Sequence, residues 1–315
     1  MTTAARTFTG DWTSSRAGRF GIRYRDVHTR SARLQLILAA LLFSTGGTAI
    51  KAISLTSWQV VSARSLVAAV VLIVATGAWR GLTWRSLLVG CAQAATMTTF
   101  VVANKLTTAA NAVFLQATAP LYIAALGPFL LAEHFRRRDL PLLGAISAGI
   151  VLLFAGSQEP LATAPHRVLG TLIGVVSGFC WSLTVMGLRW LGTRDPTGNR
   201  MSTGAAAISG NLIACAVAAP FAVPLPVLHG VDVAGVIYLG VFQVGASYLL
   251  LSYGLRHVPA AKASLLLLVE PALSPLWAWL VHGETPGLWP VIGGVLIIGA
   301  ATLATWRESR VAVLE

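Results

Sequence analysis

Segregation of charge is the feature that most limits what this chain can become. Ten apolar segments, at about 34–52, 59–79, 86–103, 108–131, 140–156, 168–188, 203–222, 233–253, 261–281 and 288–306, are joined by short polar links. A helix rises about 1.5 Å per residue, so roughly 20 apolar residues cross the hydrocarbon core of a bilayer. Charged residues make up 11% of the chain, against about a quarter in a soluble domain. The longest links, 157–167, 189–202 and 223–232, leave no room for a sizeable soluble domain. The pattern predicts an all-α, multi-pass integral membrane protein with ten transmembrane helices.

Lysine and arginine orient the spans. With the N-terminus in the cytoplasm, 19 of the 23 basic residues fall on the cytoplasmic side, beginning with seven arginines before the first span. Lys51, Lys105 and Arg167 are left outside, and Arg64 lies within the second span. That bias is the positive-inside rule, and it places both termini in the cytoplasm of a bacterial-type inner (plasma) membrane. Residues 1–33 then form a basic cytoplasmic tail and 307–315 a short C-terminal one. The first apolar stretch follows a long arginine-rich tail, so it reads as a retained helix rather than a cleaved signal.

The same distribution bears on function. The net charge of +12 comes largely from the cytoplasmic ends, so no nucleic-acid partner is expected. Cys91, Cys180 and Cys215 lie inside apolar segments, and none of the six histidines forms an HxxxH or HExxH pair. No metal, cofactor or enzyme activity is expected from such a set. Without a GxxxxGK[ST] loop, the chain does not draw on ATP through that motif.

The chain also repeats itself. Shifted by 151 positions, KLTTAANAVFLQATAPLYIAALGPFLLAE (Lys105–Glu133) lies on RHVPAAKASLLLLVEPALSPLWAWLVHGE (Arg256–Glu284) without a gap, matching Pro120 to Pro271 and Glu133 to Glu284. A one-residue slip then matches Gly144 and Gly149 to Gly294 and Gly299. FSTGGTAIK (Phe43–Lys51) pairs more weakly with WSLTVMGLR (Trp181–Arg189). Two halves of five helices, 34–157 and 168–306, enter the membrane in opposite senses because five is odd. Inverted repeats of this kind build many secondary transporters.

These two segments, each followed by a Gly-x4-Gly span, resemble the two EamA repeats of the drug/metabolite transporter superfamily. The resemblance covers nearly the whole chain after Arg33. It implies ten helices around a central cavity and a carrier that often exports amino acids or other small metabolites. The first copy departs from the second at one telling place: Ala119 stands where the second has Glu270.

Candidate site residues follow from the polar groups that lipid cannot tolerate. Pro120 and Pro271 fall mid-span, where each removes a helical hydrogen bond and bends the axis; the bends either shape a binding site at the midplane or only shape packing. Glu270 is the sole acid near the centre of any span, at a cost of about 3 kcal/mol in a bilayer. Its carboxyl either keeps a proton or faces a wet cavity and pairs there. Ser274 and Trp277 follow at i+4 and i+7, and Gln116 shares a face with Pro120. This set is expected to line a substrate cavity, with Glu270 meeting a substrate amine or carrying a coupling proton. A structural acid paired with a basic residue or a backbone donor is the competing reading.

Arg64 either snorkels to the outer interface or faces the cavity to hold a carboxylate. Trp181, Gln243 and Tyr248 complete the candidates, each with a plain packing role as its alternative. Gly170, Gly174 and Gly178 form a doubled GxxxG stripe, expected to be a close static helix contact. The function predicted is secondary-active transport of a small metabolite, an amino acid or related compound, exported by alternating access. A membrane scaffold or receptor that transports nothing is the alternative.

Overall fold

The computed structural model describes residues 14–133, 140–155, 166–194, 201–224, 228–283 and short runs between 288 and 303. All regular structure among them is helical, in thirteen α-helices with one π-helical segment and two short 3-10 turns. The first helix, α1 (Ser14–Ser44), begins inside the arginine-rich segment and runs on into the first apolar span. Thr45 separates it from α2 (Gly46–Ala52), where two consecutive glycines lower helix propensity. α3 (Ser57–Thr76) opens on a capping box between Thr56 and Gln59 and stops at Gly77, whose φ of 61° suits glycine. α4 (Trp84–Leu106) carries a similar box at Thr83 and Ser86.

The fourth span divides into α5 (Ala109–Gln116) and α6 (Ala119–Leu130). Then follow α7 (Leu140–Ala155), α8 (Arg167–Arg194) and α9 (Met201–Ala218). The eighth span is α10 (Gly230–Tyr238), a π-helical segment (Leu239–Ala246) and α11 (Ser247–His257). The ninth divides, like the fourth, into α12 (Ala260–Leu266) and α13 (Val269–His282).

Eight of these stretches are long and apolar enough to cross a bilayer. α7 matches the predicted fifth segment but has 16 residues. The predicted tenth span, 288–306, lies largely outside the described residues, as do the C-terminal tail, residues 1–13 and Glu284. Only 39–56% of each span is buried within the protein. Much of the remaining surface is apolar, with Val74, Phe129 and Val168 more than three-quarters exposed. A soluble protein would hide such faces, whereas lipid solvates them. Trp79 and Trp84 sit at helix ends beneath Arg80 and Arg85, with guanidinium-to-ring distances of 5.3 and 5.5 Å, as interfacial pairs do.

α8 joins the early and late parts of the chain. Its stripe Gly170–Gly174–Gly178 packs on Thr107, Leu115 and Thr118, at the end of α4 and the break between α5 and α6. A Cβ on Gly178 would lie 2.5 Å from the Leu115 carbonyl oxygen, so a bare backbone is needed at that crossing. α4 packs on α8 and α9, α3 on α9, and α1 on α11 and α13.

Candidate functional site

Both breaks have the same local chemistry. Proline has no N–H, so Pro120 cannot bond the Gln116 carbonyl, nor Pro271 that of Leu267. The chain tightens to i→i+3 bonds instead: Thr118 N donates to Leu115 O (3.2 Å) and Leu121 N to Thr118 O (2.9 Å). In the ninth span Leu268 N donates to Leu265 O (3.2 Å) and Glu270 N to Leu267 O (3.0 Å). The interruption therefore precedes each proline by two to four residues, since proline also restricts what comes before it.

The two breaks meet at a cavity of about 20 Å³, room for a single water. Ten of its eleven lining residues form five pairs spaced by 151: Val113 with Ser264, Gln116 with Leu267, Ala117 with Leu268, Ala119 with Glu270, and Pro120 with Pro271. The eleventh is Trp181. Its partner in the weaker alignment, Phe43, meets it edge-on with ring centroids 5.7 Å apart. The cavity is thus lined by the same positions of both repeats, and the one lining pair that differs in charge is Ala119 and Glu270.

The candidates fall into three groups. Gln116, Pro120, Trp181, Glu270 and Pro271 line the cavity together. Gln116 Nε2 donates to Ser177 Oγ on α8 (3.3 Å). The Glu270 side chain is buried and its carboxyl has no hydrogen-bond partner among the described residues. Arg64, Gln243 and Tyr248 form a second group. Arg64 does not snorkel: it is fully buried, its Nη1 donates to Gln243 Oε1 (3.4 Å) and its Nη2 to Met97 O (3.1 Å). Gln243 reaches it from the π-helical segment, a local widening that often accompanies function. Ser274 and Trp277 form the third group and turn to α1 instead. Ser274 Oγ donates to Ser44 O (3.1 Å) and Trp277 Nε1 to Ser44 Oγ (2.9 Å).

An aromatic cluster links the first two groups. Tyr248 packs edge-on against Phe43 (5.6 Å) and Trp181 (6.3 Å). Tyr248 also ends a larger cavity of about 470 Å³, lined by α3, α9 and α11 and reaching Thr76, Met201 and Arg256 at their far ends. Sequence reasoning passed over Phe43, Ser44, Ser177 and Met97 as neighbours of the site. Phe43 and Ser44 left a signal, since they align with Trp181 and Ser182.

Charged side chains bond to carbonyls and to one another in two clusters away from the smaller cavity. In one, Glu133 Oε1 accepts from Arg189 Nε (2.8 Å) and Oε2 from the Ala260 backbone N–H (2.9 Å). Arg189 Nη1 also donates to the carbonyls of Leu255 (3.0 Å) and Arg256 (2.8 Å) at the end of α11. In the other, Lys51, the aligned partner of Arg189, donates to Thr107 O (2.8 Å) at the end of α4. Lys105 donates to Ile53 O (2.7 Å), and the buried Asp232 accepts from Ser54 N (2.7 Å) and Oγ (2.9 Å).

Paired broken helices meeting at a small cavity that holds one carboxyl, inside a bundle with an apolar exterior, are the marks of a membrane transporter. The chain belongs to the EamA-like transporter family, whose sequence model matches residues 30–155 and 168–306. An uncharacterized transporter of Archaeoglobus fulgidus is 28% identical over 221 residues, 68% of this chain and 73% of the relative. A second from the same organism is 26% identical over 212 residues, 66% of this chain and 71% of the relative. A crystal structure of a protein 23% identical in sequence aligns with a TM-score of 0.70, over 90% of this chain and 99% of the other. That last likeness establishes a shared fold.

Proposed function

We propose that this chain is a secondary-active carrier of a small metabolite, an amino acid or related compound, working by alternating access in a bacterial-type inner membrane. Ten spans in two inverted halves, 34–157 and 168–306, surround the substrate path, with both termini in the cytoplasm and export as the direction. The observation that carries this reading is the cavity built from five pairs of repeat-related residues at the two broken helices. A site on the axis between two halves is one that either half can uncover by rocking against the other.

Each residue then has a task. The proline breaks free backbone carbonyls at the midplane and hold the helix ends apart. Gln116 and Trp181 line the space, and Glu270 supplies the one carboxyl, which meets a substrate amine or carries the coupling proton. Tyr248 packs edge-on against Trp181, which lines the same cavity as Glu270. Arg189 with Glu133 holds the cytoplasmic end shut, and Lys51 with Lys105 the outer end. Alternating access requires that these clamps open in turn.

Solute counterflow in proteoliposomes, run against a panel of radiolabelled amino acids and small metabolites with and without a pH gradient, tests the proposal. Saturable counterflow of at least one compound is the expected result. Its absence for every compound, from folded and correctly inserted protein, supports a scaffold or receptor instead.

A further inference from the structure

Arg64 is the residue whose surroundings the transport reading leaves unexplained. It lies seven residues into α3, about 10 Å along the helix from Ser57, with no exposed surface. No carboxylate pairs with it among the described residues. Its acceptors are neutral, the Met97 carbonyl and the Gln243 amide, the latter at the long distance of 3.4 Å, and its Nε has no partner. Buried guanidinium groups are normally balanced by a carboxylate, because an uncompensated charge inside a protein is costly. Mere helix joining would be served as well by an amide.

A second unmet group points to the same place. The Tyr248 hydroxyl is also fully buried without a hydrogen-bond partner, five residues along the same helical stretch from Gln243, which accepts from Arg64. Two unmet donor atoms on different helices, Arg64 Nε and the Tyr248 hydroxyl, suit an anionic acceptor. The cavity of 470 Å³ gives the approach, and its size falls within the ~300–1,000 Å³ usual for small-molecule sites. Its lining includes Tyr248 and Leu72, the latter about two turns along α3 from Arg64. A single guanidinium balances a single negative charge and matches a planar carboxylate in geometry. A phosphate carries more charge than this site can offset.

We propose that Arg64, assisted by the Tyr248 hydroxyl, is the receptor for a carboxylate on the transported solute, so that the carrier selects small carboxylates over their neutral analogues. The proposal rests on the carrier reading and adds the class of substrate to it. Gln243 is a positioning residue, holding the guanidinium from the π-helical segment.

The test uses the full chain in nanodiscs and matched probes, benzoate against benzamide and L-leucine against L-leucinamide, with binding read by isothermal titration and by ligand-induced thermal shift. At least one acid should bind wild type tenfold or more tightly than its amide. Arg64→Gln should abolish the difference, and Arg64→Lys should keep part of it. Empty Arg64→Gln protein should melt no lower than wild type, because an uncompensated buried charge has gone. Equal binding of acid and amide by wild type in both pairs overturns the proposal, as does an acid preference that survives Arg64→Gln. A lowered melting temperature of the empty variant marks Arg64 as a structural donor and also overturns it. Acid-selective binding without flux would instead sink the carrier reading alone, and saturable flux of neutral solutes indifferent to Arg64→Gln would sink this inference alone.

Discussion

Replacing Glu133 by glutamine tests whether the clamp at the end proposed to face the cytoplasm governs access to the cavity. The carboxylate ties three elements: it accepts from Arg189 on α8 at 2.8 Å and from the first N–H of α12 at 2.9 Å, while Arg189 reaches the end of α11. Pro259, before α12, offers no side-chain cap, so Glu133 caps that helix from outside and its charge suits the helix N-terminus. Glutamine keeps one acceptor but loses the charge. Hydrogen bonds to charged groups contribute about 1.5–3 kcal/mol each. Side-chain exposures of 15% and 22% admit solvent screening, which reduces the expected loss to about 1.5 kcal/mol. Taken wholly from the state closed at this end, that loss shifts the equilibrium about tenfold toward opening. The assay replaces Cys91, Cys180 and Cys215 by serine and places a single cysteine at Ser264, which lines the midplane cavity. A membrane-impermeant maleimide applied from the cytoplasmic side should then label Glu133→Gln protein about tenfold faster than its parent, and from the other side more slowly. Unchanged rates on both sides, in protein that remains folded, would refute the reasoning.

Two further outcomes follow from the same geometry. Lys51→Met keeps the aliphatic stem but removes the bond to Thr107 O, so maleimide labelling at position 264 should accelerate from the outer side and slow from the cytoplasmic side. Ala119→Leu fills a cavity that holds about one water; flux should fall at least tenfold, while overpacking costs about 1–3 kcal/mol and leaves the protein folded by circular dichroism.

Much of this arrangement was legible from the chain alone because it depends on periodicity and on rare residues. Apolar length gave the eight long spans among the described residues, and the 151-residue shift paired Pro120 with Pro271 at the breaks that line the cavity. Glu270 stood out because an acid at mid-span is unusual. What escaped were properties set by packing between distant segments. Arg64 read as a residue able to reach the interface, yet Met97 and Gln243, 33 and 179 residues away, enclose it. Ser274 and Trp277 share a helix with Glu270 but turn to Ser44, since α1 packs against α13. Glu133 showed in the sequence only as the repeat partner of Glu284; its own partners on α8 and α12 lie 56 and 127 residues along the chain. The π-helical segment that aims Gln243 has no local sequence signature of the kind proline provides.

The account turns on Glu270 as the working group of a transport site, and one comparison addresses that directly: initial flux of a counterflow substrate through wild-type and Glu270→Gln protein, in proteoliposomes with and without a pH gradient. Glutamine keeps the size of the side chain and removes its ability to ionise. The account predicts that the variant folds and inserts normally, yet loses at least tenfold in substrate flux or loses the response of flux to the pH gradient. Flux and pH response equal to wild type would contradict it, leaving Glu270 a buried structural acid.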